Sequence, residues 1–244
     1  MSLLAPLLVI LALLGAPLFA IIGASALYGF WQQEIDLQVI AIEFFGIAEM
    51  PILLAIPLFT FAGYLLSESQ APDRLVRLTR ALLGWMPAGL AIVALFACAF
   101  FTAFTGASGV TIIALGALLF PAMQQAGYPE RFNLGLITSA GSLGLLFAPS
   151  LPLILYGVVA EVSIEDLFLA GLLPGFLMLV LLSAYSVWKN RAIRIPLGDF
   201  SLREVSLAAR AAAWEIPLPI VVLGGIYSGY FAISEAAAVT AIYV

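Results

Sequence analysis

Two runs of glycine and hydroxyl residues carry the chemistry this chain could perform. One is Thr105-Gly106-Ala107-Ser108-Gly109. The other is Thr138-Ser139-Ala140-Gly141-Ser142-Leu143-Gly144, followed by Ala148-Pro149-Ser150-Leu151-Pro152. Their hydroxyls (Thr105, Ser108, Ser142, Ser150) and the carbonyls around Gly106, Ala107 and Gly141 are uncharged oxygens, the ligand type that suits a hard cation such as Na⁺. Glycine and proline next to these groups interrupt a helix. Each interruption exposes one C-terminal helix end with partial negative charge, suited to a cation, and one N-terminal end with partial positive charge, suited to an anionic substrate group. The expectation is that the two runs meet and form an ion and substrate site from Thr105, Gly106, Ala107, Ser108, Gly141, Ser142, Gly144, Pro149 and Ser150. Thr105, Ser108, Gly141, Ser142 and Ser150 are the Na⁺ candidates.

The elements that hold such a site must lie in a membrane. The 244 residues are 64% hydrophobic and 9% charged, with a mean hydropathy of +1.16, outside the range of a domain with a polar surface. Backbone groups left unpaired in hydrocarbon cost several kcal/mol each, so broken backbone at membrane depth must be buried in protein or line a cavity. No histidine is present, which removes the commonest proton shuttle and transition-metal ligand. Cys98 is the single cysteine and reads as a buried structural thiol. No basic patch with interleaved aromatics points to nucleic acid.

A helix needs ~20 apolar residues to cross the bilayer core. By that measure Leu3 to Phe30 spans once, bent near Gly15 and Pro17, and it lacks the basic n-region of a secretory signal. Trp31 to Met50 carries Glu34, Asp36, Glu43 and Glu49 among apolar residues, which fits an interfacial amphipathic helix or an ordinary loop. Pro51 to Leu66 reads as a short or kinked span, followed by a polar turn. Arg74, Arg77 and Arg80 then share one solvated face of a surface helix.

Ala81 to Tyr128 contains no charged residue and is interrupted at its centre. Two limbs, Ala88 to Phe104 and Val110 to Gln124, are each short for a span, which favours a re-entrant hairpin over two spans. Phe132 to Ala160 is again uncharged and broken in the middle, so it reads as a discontinuous helix, with Ser163 capping the next one. Leu167 to Trp188 spans, Lys189 to Arg210 is a polar connector, Trp214 to Phe231 spans again, and Ser234-Glu235-Ala236 opens a further helix.

Charge tests this topology. If the hairpin returns to its own side, all nine Lys and Arg residues share one side, which the positive-inside rule makes cytoplasmic. Two full spans in place of the hairpin keep the same parity. With no ionisable residue in either uncharged run, Na⁺ coupling is expected rather than a proton relay. Close helix packing also collects Gly, Ala, Ser and Thr, and Gly116, Gly157 and Gly171 keep that reading. For the two interrupted runs, their central position and adjacent helix breakers favour a site.

The order and spacing of several motifs identify a resemblance. Ala55-Ile56-Pro57-Leu58-Phe59 with Ala62-Gly63, the Thr105 tip, Pro121-Ala122-Met123 with Gly127-Tyr128, Gly141-Ser142-Leu143-Gly144 with Pro149-Ser150-Leu151-Pro152, Tyr156-Gly157, Val162-Ser163-Ile164 and Ser234-Glu235-Ala236-Ala237-Ala238-Val239 together resemble the large membrane subunit (DctM family) of tripartite ATP-independent periplasmic (TRAP) transporters. That resemblance implies an all-α polytopic membrane fold, the first half of an inverted-repeat, elevator-type transporter. It divides the chain into scaffold helices and an interfacial arm (1–80), part of a transport domain with the hairpin tip and broken helix (81–165), and further spans, a connector and the start of a second repeat (166–244).

The implied function is Na⁺-coupled uptake of small organic acids in the bacterial inner membrane. Its partners would be a soluble periplasmic binding protein and a small membrane subunit, with no organic cofactor. The family tip often reads Ser-Gly-Ser-Ser where this chain has Thr105-Gly106-Ala107-Ser108, so a carbonyl role survives at Ala107 and a side-chain role does not. It also often has Pro-Pro where this chain has Ala148-Pro149. Such subunits continue into a second repeat, so this chain alone is expected not to transport. The competing readings are a related Na⁺/anion symporter without a binding protein and a non-transporting structural subunit. An intramembrane enzyme would need a base that neither run supplies.

Overall fold

The computed structural model describes residues 4–191 and 200–244, apart from the side chains of residues 4, 5 and 37. Arg194 of the polar connector lies outside the described residues. Every described element is helical, as long apolar sequence in a bilayer requires. The chain forms two compact units, residues 1–50 and 51–244.

The first unit contains α1 (Leu4–Leu13), α2 (Leu18–Gln32) and α3 (Leu37–Ala48). The expected bend is there: Gly15 has φ +89° and Pro17 begins the next helix. Trp31 to Met50 is not a loop. Trp31 and Gln32 end α2, and after a short turn most of the rest forms α3, whose N-cap Asp36 accepts from the Gln38 amide at 3.0 Å. Apolar side chains point outward throughout the unit; Leu13, Phe19 and Phe44 are each more than 70% exposed. In water such a surface would aggregate. In a bilayer it faces acyl chains.

The second unit begins with a 3₁₀ turn, Pro51–Leu54, that runs into α4 (Ala55–Glu68). Together they make an 18-residue apolar rod long enough to cross a membrane. Pro57 falls in the first helical turn, where no intrahelical donor is lost. Next come α5 (Ala71–Leu83), α6 (Gly89–Thr105) and α7 (Ser108–Gln125). The latter two pack against each other across a two-residue turn, forming a helical hairpin. α7 has 18 residues and is apolar enough to span, longer than the sequence limb suggested because the helix starts directly at Ser108. Limb length therefore does not separate a re-entrant hairpin from two spans.

α8 (Glu130–Leu143) leads through a 3₁₀ turn, Gly144–Leu146, to α9 (Leu151–Ala160). The two halves are bent by 44°, the discontinuous helix expected from Gly144, Pro149 and Pro152. Ser163 caps α10 (Ile164–Asn190) by accepting from the Asp166 amide at 3.1 Å. α10 is 27 residues long, about 40 Å, and Pro174 lies within it.

The connector is partly helical, as α11 (Leu202–Ala211). Trp214 to Phe231 does not form one long span. Its helix, α12 (Pro217–Tyr227), has 11 residues and rises about 16 Å, because Pro217 and Pro219 fix its start and Gly229, at φ +75°, follows its end. α13 (Ile233–Tyr243) then packs along α4 and α12.

α6 is the hub of this unit. Fourteen of its seventeen residues are buried, which fits a helix apolar all round. One side joins α7 and α8 in a core around Leu95, Phe101, Leu115, Met123 and Ile137. At its C-terminal end Phe104 enters a second core with Phe59, Ile154, Phe168 and Val222, built on α4, α9, α10, α12 and α13. Cys98 is fully buried in the first core, as a structural thiol should be.

The arginine face of α5 is only partly solvated. Arg74 donates to Glu215 Oε1 at 2.8 Å and Arg77 to Glu204 at 3.4 Å. The first pair ties α5 to the segment before α12, and the second ties it to α11. Glu215 is 8% exposed, so losing its partner strands a carboxylate. Arg74→Met should cost about 1–3 kcal/mol, less than a fully buried pair because Arg74 is more than a third exposed. Thermal unfolding of the chain in detergent measures this. Combining Arg74→Glu with Glu215→Arg should recover part of the loss, and a double variant no better than the worse single would show that the pair does not hold these elements together.

Candidate ion and substrate site

The hairpin tip is set by its turn. Gly106 adopts the left-handed conformation (φ +61°) and its amide bonds to Thr102 O at 2.8 Å, ending α6 as glycine does after a last helical turn. Ala107 is extended and precedes α7, so the first amides of α7 have no intrahelical acceptor. In the discontinuous helix, Phe147 and Ser150 are extended, Ala148–Pro149 is a cis peptide bond, and Ser150 precedes α9.

The two breaks meet. Thr102 Oγ1 donates to Thr111 Oγ1 at 2.7 Å and lies 3.0 Å from Gly141 O, linking both hairpin limbs to the end of α8. Thr105 Oγ1 is 3.2 Å from Thr111 Oγ1. Ala107 O is within 3.5 Å of both the Thr105 and Thr111 hydroxyls. Three hydroxyls and two carbonyls thus form one cluster, with Thr102, Thr105 and Thr111 each at most 2% exposed.

Glycines allow this approach. A Cβ on Gly144 would strike Ala99 O and Thr102 Cβ, and one on Gly63 of α4 would strike Thr105 Cα. At Gly106 it would meet Leu151 Cγ of α9 at 2.5 Å. Gly171 of α10 packs on Leu146 O, Gly157 on Ile164 and, less tightly, Gly116 on Ile137, where a Cβ would stand 3.3 Å from the side chain, the close-packing roles expected of them.

The expected residues divide into groups. Thr105, Ala107 and Gly141 join the cluster, and Gly106 and Gly144 shape it. Ser150 is fully buried but donates to Leu145 O at 2.6 Å, closing the break in its own helix. Pro149 is buried. Ser108 is half-buried and its carbonyl lies beside Gly141. Ser142 is exposed on the far side of α8 with Thr138 and Ser139, since consecutive helical residues point ~100° apart. Thr102 and Thr111 were not among the expected residues. The available signal was the three-residue spacing of Thr102 and Thr105, which puts both on one face of α6.

The cluster carries no formal charge, and among the described residues no group of three His, Cys, Asp or Glu could hold a transition metal. A hard cation takes oxygens at about 2.3–2.6 Å, as calcium does. Neighbouring oxygens of an octahedral shell are then about 3.3–3.7 Å apart. The separations seen, 2.7–3.5 Å, are those of mutual hydrogen bonds, a few tenths of an ångström tighter. A neighbouring cavity of about 210 Å³, lined by Phe96, Phe100, Phe104, Phe147, Phe176 and Leu179 among others, is apolar and gives an organic anion no partner.

Several apolar helices long enough to cross a bilayer define a multi-pass integral membrane protein. A family model described as "Tripartite ATP-independent periplasmic transporter, DctM component" matches residues 4–244, and the chain belongs to that family. It is 36% identical over 255 residues to the C4-dicarboxylate TRAP transporter large permease of Rhodobacter capsulatus, covering 97% of this chain and 58% of that protein. It is 35% identical to the Vibrio cholerae permease of the same name, covering 95% and 52%. It is 36% identical to the ectoine/5-hydroxyectoine TRAP large permease of Ruegeria pomeroyi, covering 96% and 56%. These relatives are named as transporter permeases, not enzymes. The chain spans about half the length of the curated relatives it matches.

The geometry makes the tip sensitive to a single methyl. Gly63→Ala should lower the melting temperature of the solubilised chain by several degrees, because the new Cβ meets backbone. Gly109→Ala, at the same tip with open space around it, should be neutral. Equal melting temperatures for Gly63→Ala and wild type would show that α4 does not press on the tip.

Proposed function

We propose that this chain forms the first structural repeat of a Na⁺-coupled organic-acid permease. The observation that carries it is the buried threonine and carbonyl cluster joining the two helix breaks. On this reading Thr102, Thr105, Thr111, Ala107 O and Gly141 O bind the ion after a small expansion. Ser108 and Ser150 stand at the uncapped helix starts that would attract a carboxylate. The α6–α7 hairpin is re-entrant, and it moves with the broken helix as an elevator against the remaining helices.

The relatives' names support small organic acids, C4-dicarboxylates among them, and compatible solutes of the ectoine type, as the substrate class. Membership of a tripartite periplasmic transporter family supports a periplasmic binding protein and a small membrane subunit as partners, and the positive-inside rule supports cytoplasmic Lys and Arg loops in a bacterial inner membrane. Because the chain covers about half of those relatives, the activity belongs to a full-length permease, and the chain alone would not transport.

A second reading is favoured by the hydrogen bonds already made within the cluster: the threonines are a packing clasp between membrane helices. The two are separable by ion-specific stabilisation. A ligand at 100 times its dissociation constant stabilises by about 2.7 kcal/mol, so saturating Na⁺ should raise the melting temperature of the solubilised chain above its value in K⁺ at equal ionic strength. Thr102→Val should remove that difference, and in a full-length permease it should raise the Na⁺ concentration for half-maximal uptake tenfold or more. A clasp predicts the same loss of stability in both salts. Identical melting curves of the wild-type chain in Na⁺ and K⁺ would exclude the ion site.

A further inference from the structure

The chain has a net charge of −5, yet one surface of the second unit is basic. α5 and the 200–215 segment run antiparallel, held by Arg74–Glu215, by Arg77–Glu204 and by the edge-on contact of Trp85 with Phe200, whose ring centroids are 6.2 Å apart. The two pairs neutralise Glu204 and Glu215. Arg80, Arg203 and Arg210 are exposed and make no ion pair among the described residues.

Arg80 lies one turn beyond Arg77, toward the Trp85–Phe200 contact, and so at the Arg203 end of α11. Arg203, Leu207 and Arg210 follow at four- and three-residue spacing on α11, giving one exposed stripe, while Trp214 stands in the turn beyond α11, against Tyr243 of α13. Leu202, Leu207 and Trp214 are 75%, 42% and 72% exposed. Alternating cationic and apolar side chains on an exposed helix face match a headgroup layer, with the apolar groups reaching the acyl boundary and the guanidinium groups the phosphates. A water-facing helix has no use for the two exposed leucines. A helix face buried in the hydrocarbon has none for the arginines.

We propose that the paired α5 and α11 faces form a binding site for the phosphate headgroup of an anionic phospholipid, with Arg80, Arg203 and Arg210 as the contacting residues and Trp85 and Leu207 as the apolar anchors. Arg74 is excluded, because Glu215 neutralises it and would repel an anion. Arginine suits phosphate through its planar fork of donors.

The test is native mass spectrometry of the detergent-solubilised full chain equilibrated with phosphatidylglycerol and phosphatidylcholine in equal amounts. The wild type should retain phosphatidylglycerol preferentially. The preference should fall roughly fivefold per arginine removed, and so by about 100-fold or to parity in R80Q/R203Q/R210Q. R131Q, which removes an exposed arginine at the start of α8, should leave it unchanged, and R80K/R203K/R210K should keep most of it. Equal retention of the two lipids by the wild type, or an undiminished preference in the glutamine variant, overturns the proposal. Displacement of the lipid by millimolar inorganic phosphate would identify a soluble-anion site instead. Binding of an acidic peptide with no lipid preference would identify a protein partner, and either result also overturns it. If the triple glutamine variant does not fold, the three single variants carry the same comparison.

Discussion

Every interrupted backbone in this protein faces the same constraint: inside a membrane, a helix can stop only where something else receives its unpaired groups. Thr102 sits where that condition is met for two interruptions at once. Its hydroxyl reaches Thr111 across the hairpin turn and Gly141 O at the end of α8. The glycines around it leave the space. Gly63 brings α4 onto the tip, Gly144 brings the broken helix onto α6, and Gly171 brings α10 onto the carbonyl of Leu146. A side chain at any of these three positions would collide with main-chain atoms, which cannot turn aside as a rotamer can.

The electrostatics follow from keeping that interior uncharged. Ionisable residues lie outside the two uncharged runs, yet folding brings one carboxylate against them. Glu215 lines a small space beside Phe100, Phe101 and Phe104 on α6, and its Oε2 is buried with no hydrogen-bond partner among the described residues. Arg74 holds the other oxygen. The pair is overall neutral, so the hairpin tip feels a dipole instead of a charge. A cation at the threonine cluster would therefore depend on oxygen lone pairs and helix ends alone. Arg80, Arg203 and Arg210 leave positive charge, unpaired among the described residues, on the α5–α11 face, away from the cluster.

The chain's membership of the DctM family gives these helix breaks their interest. Two helix breaks supply two cation-favouring and two anion-favouring ends. The cavity beside them is apolar, and the polar face of α8 carrying Thr138, Ser139 and Ser142 is exposed. An organic anion needs donors on more than one side to replace its water.

Much of this was legible in the residues. Apolar runs too long for a soluble core fixed a membrane protein, Gly15 with Pro17 and Gly144 with Pro149 marked two of its breaks, and the Gly106 turn marked the hairpin. Those are local effects of backbone conformation and hydropathy, and they need no partner. Which oxygens converge was a different matter. Ser142 and Gly141 are neighbours in sequence, but the helical rotation of ~100° per residue sends one side chain outward while the other residue's carbonyl meets Thr102. Thr111 enters the cluster only because the two-residue turn folds α7 back onto α6. The pairing of Arg74 with Glu215, 141 positions apart, has no trace in composition or spacing. Sequence alone marked the bend at Gly15, the hairpin turn and the broken helix, because a glycine or proline break is a property of its own segment. Tertiary structure decided what receives the broken ends, because contact depends on how separate helices rotate and approach.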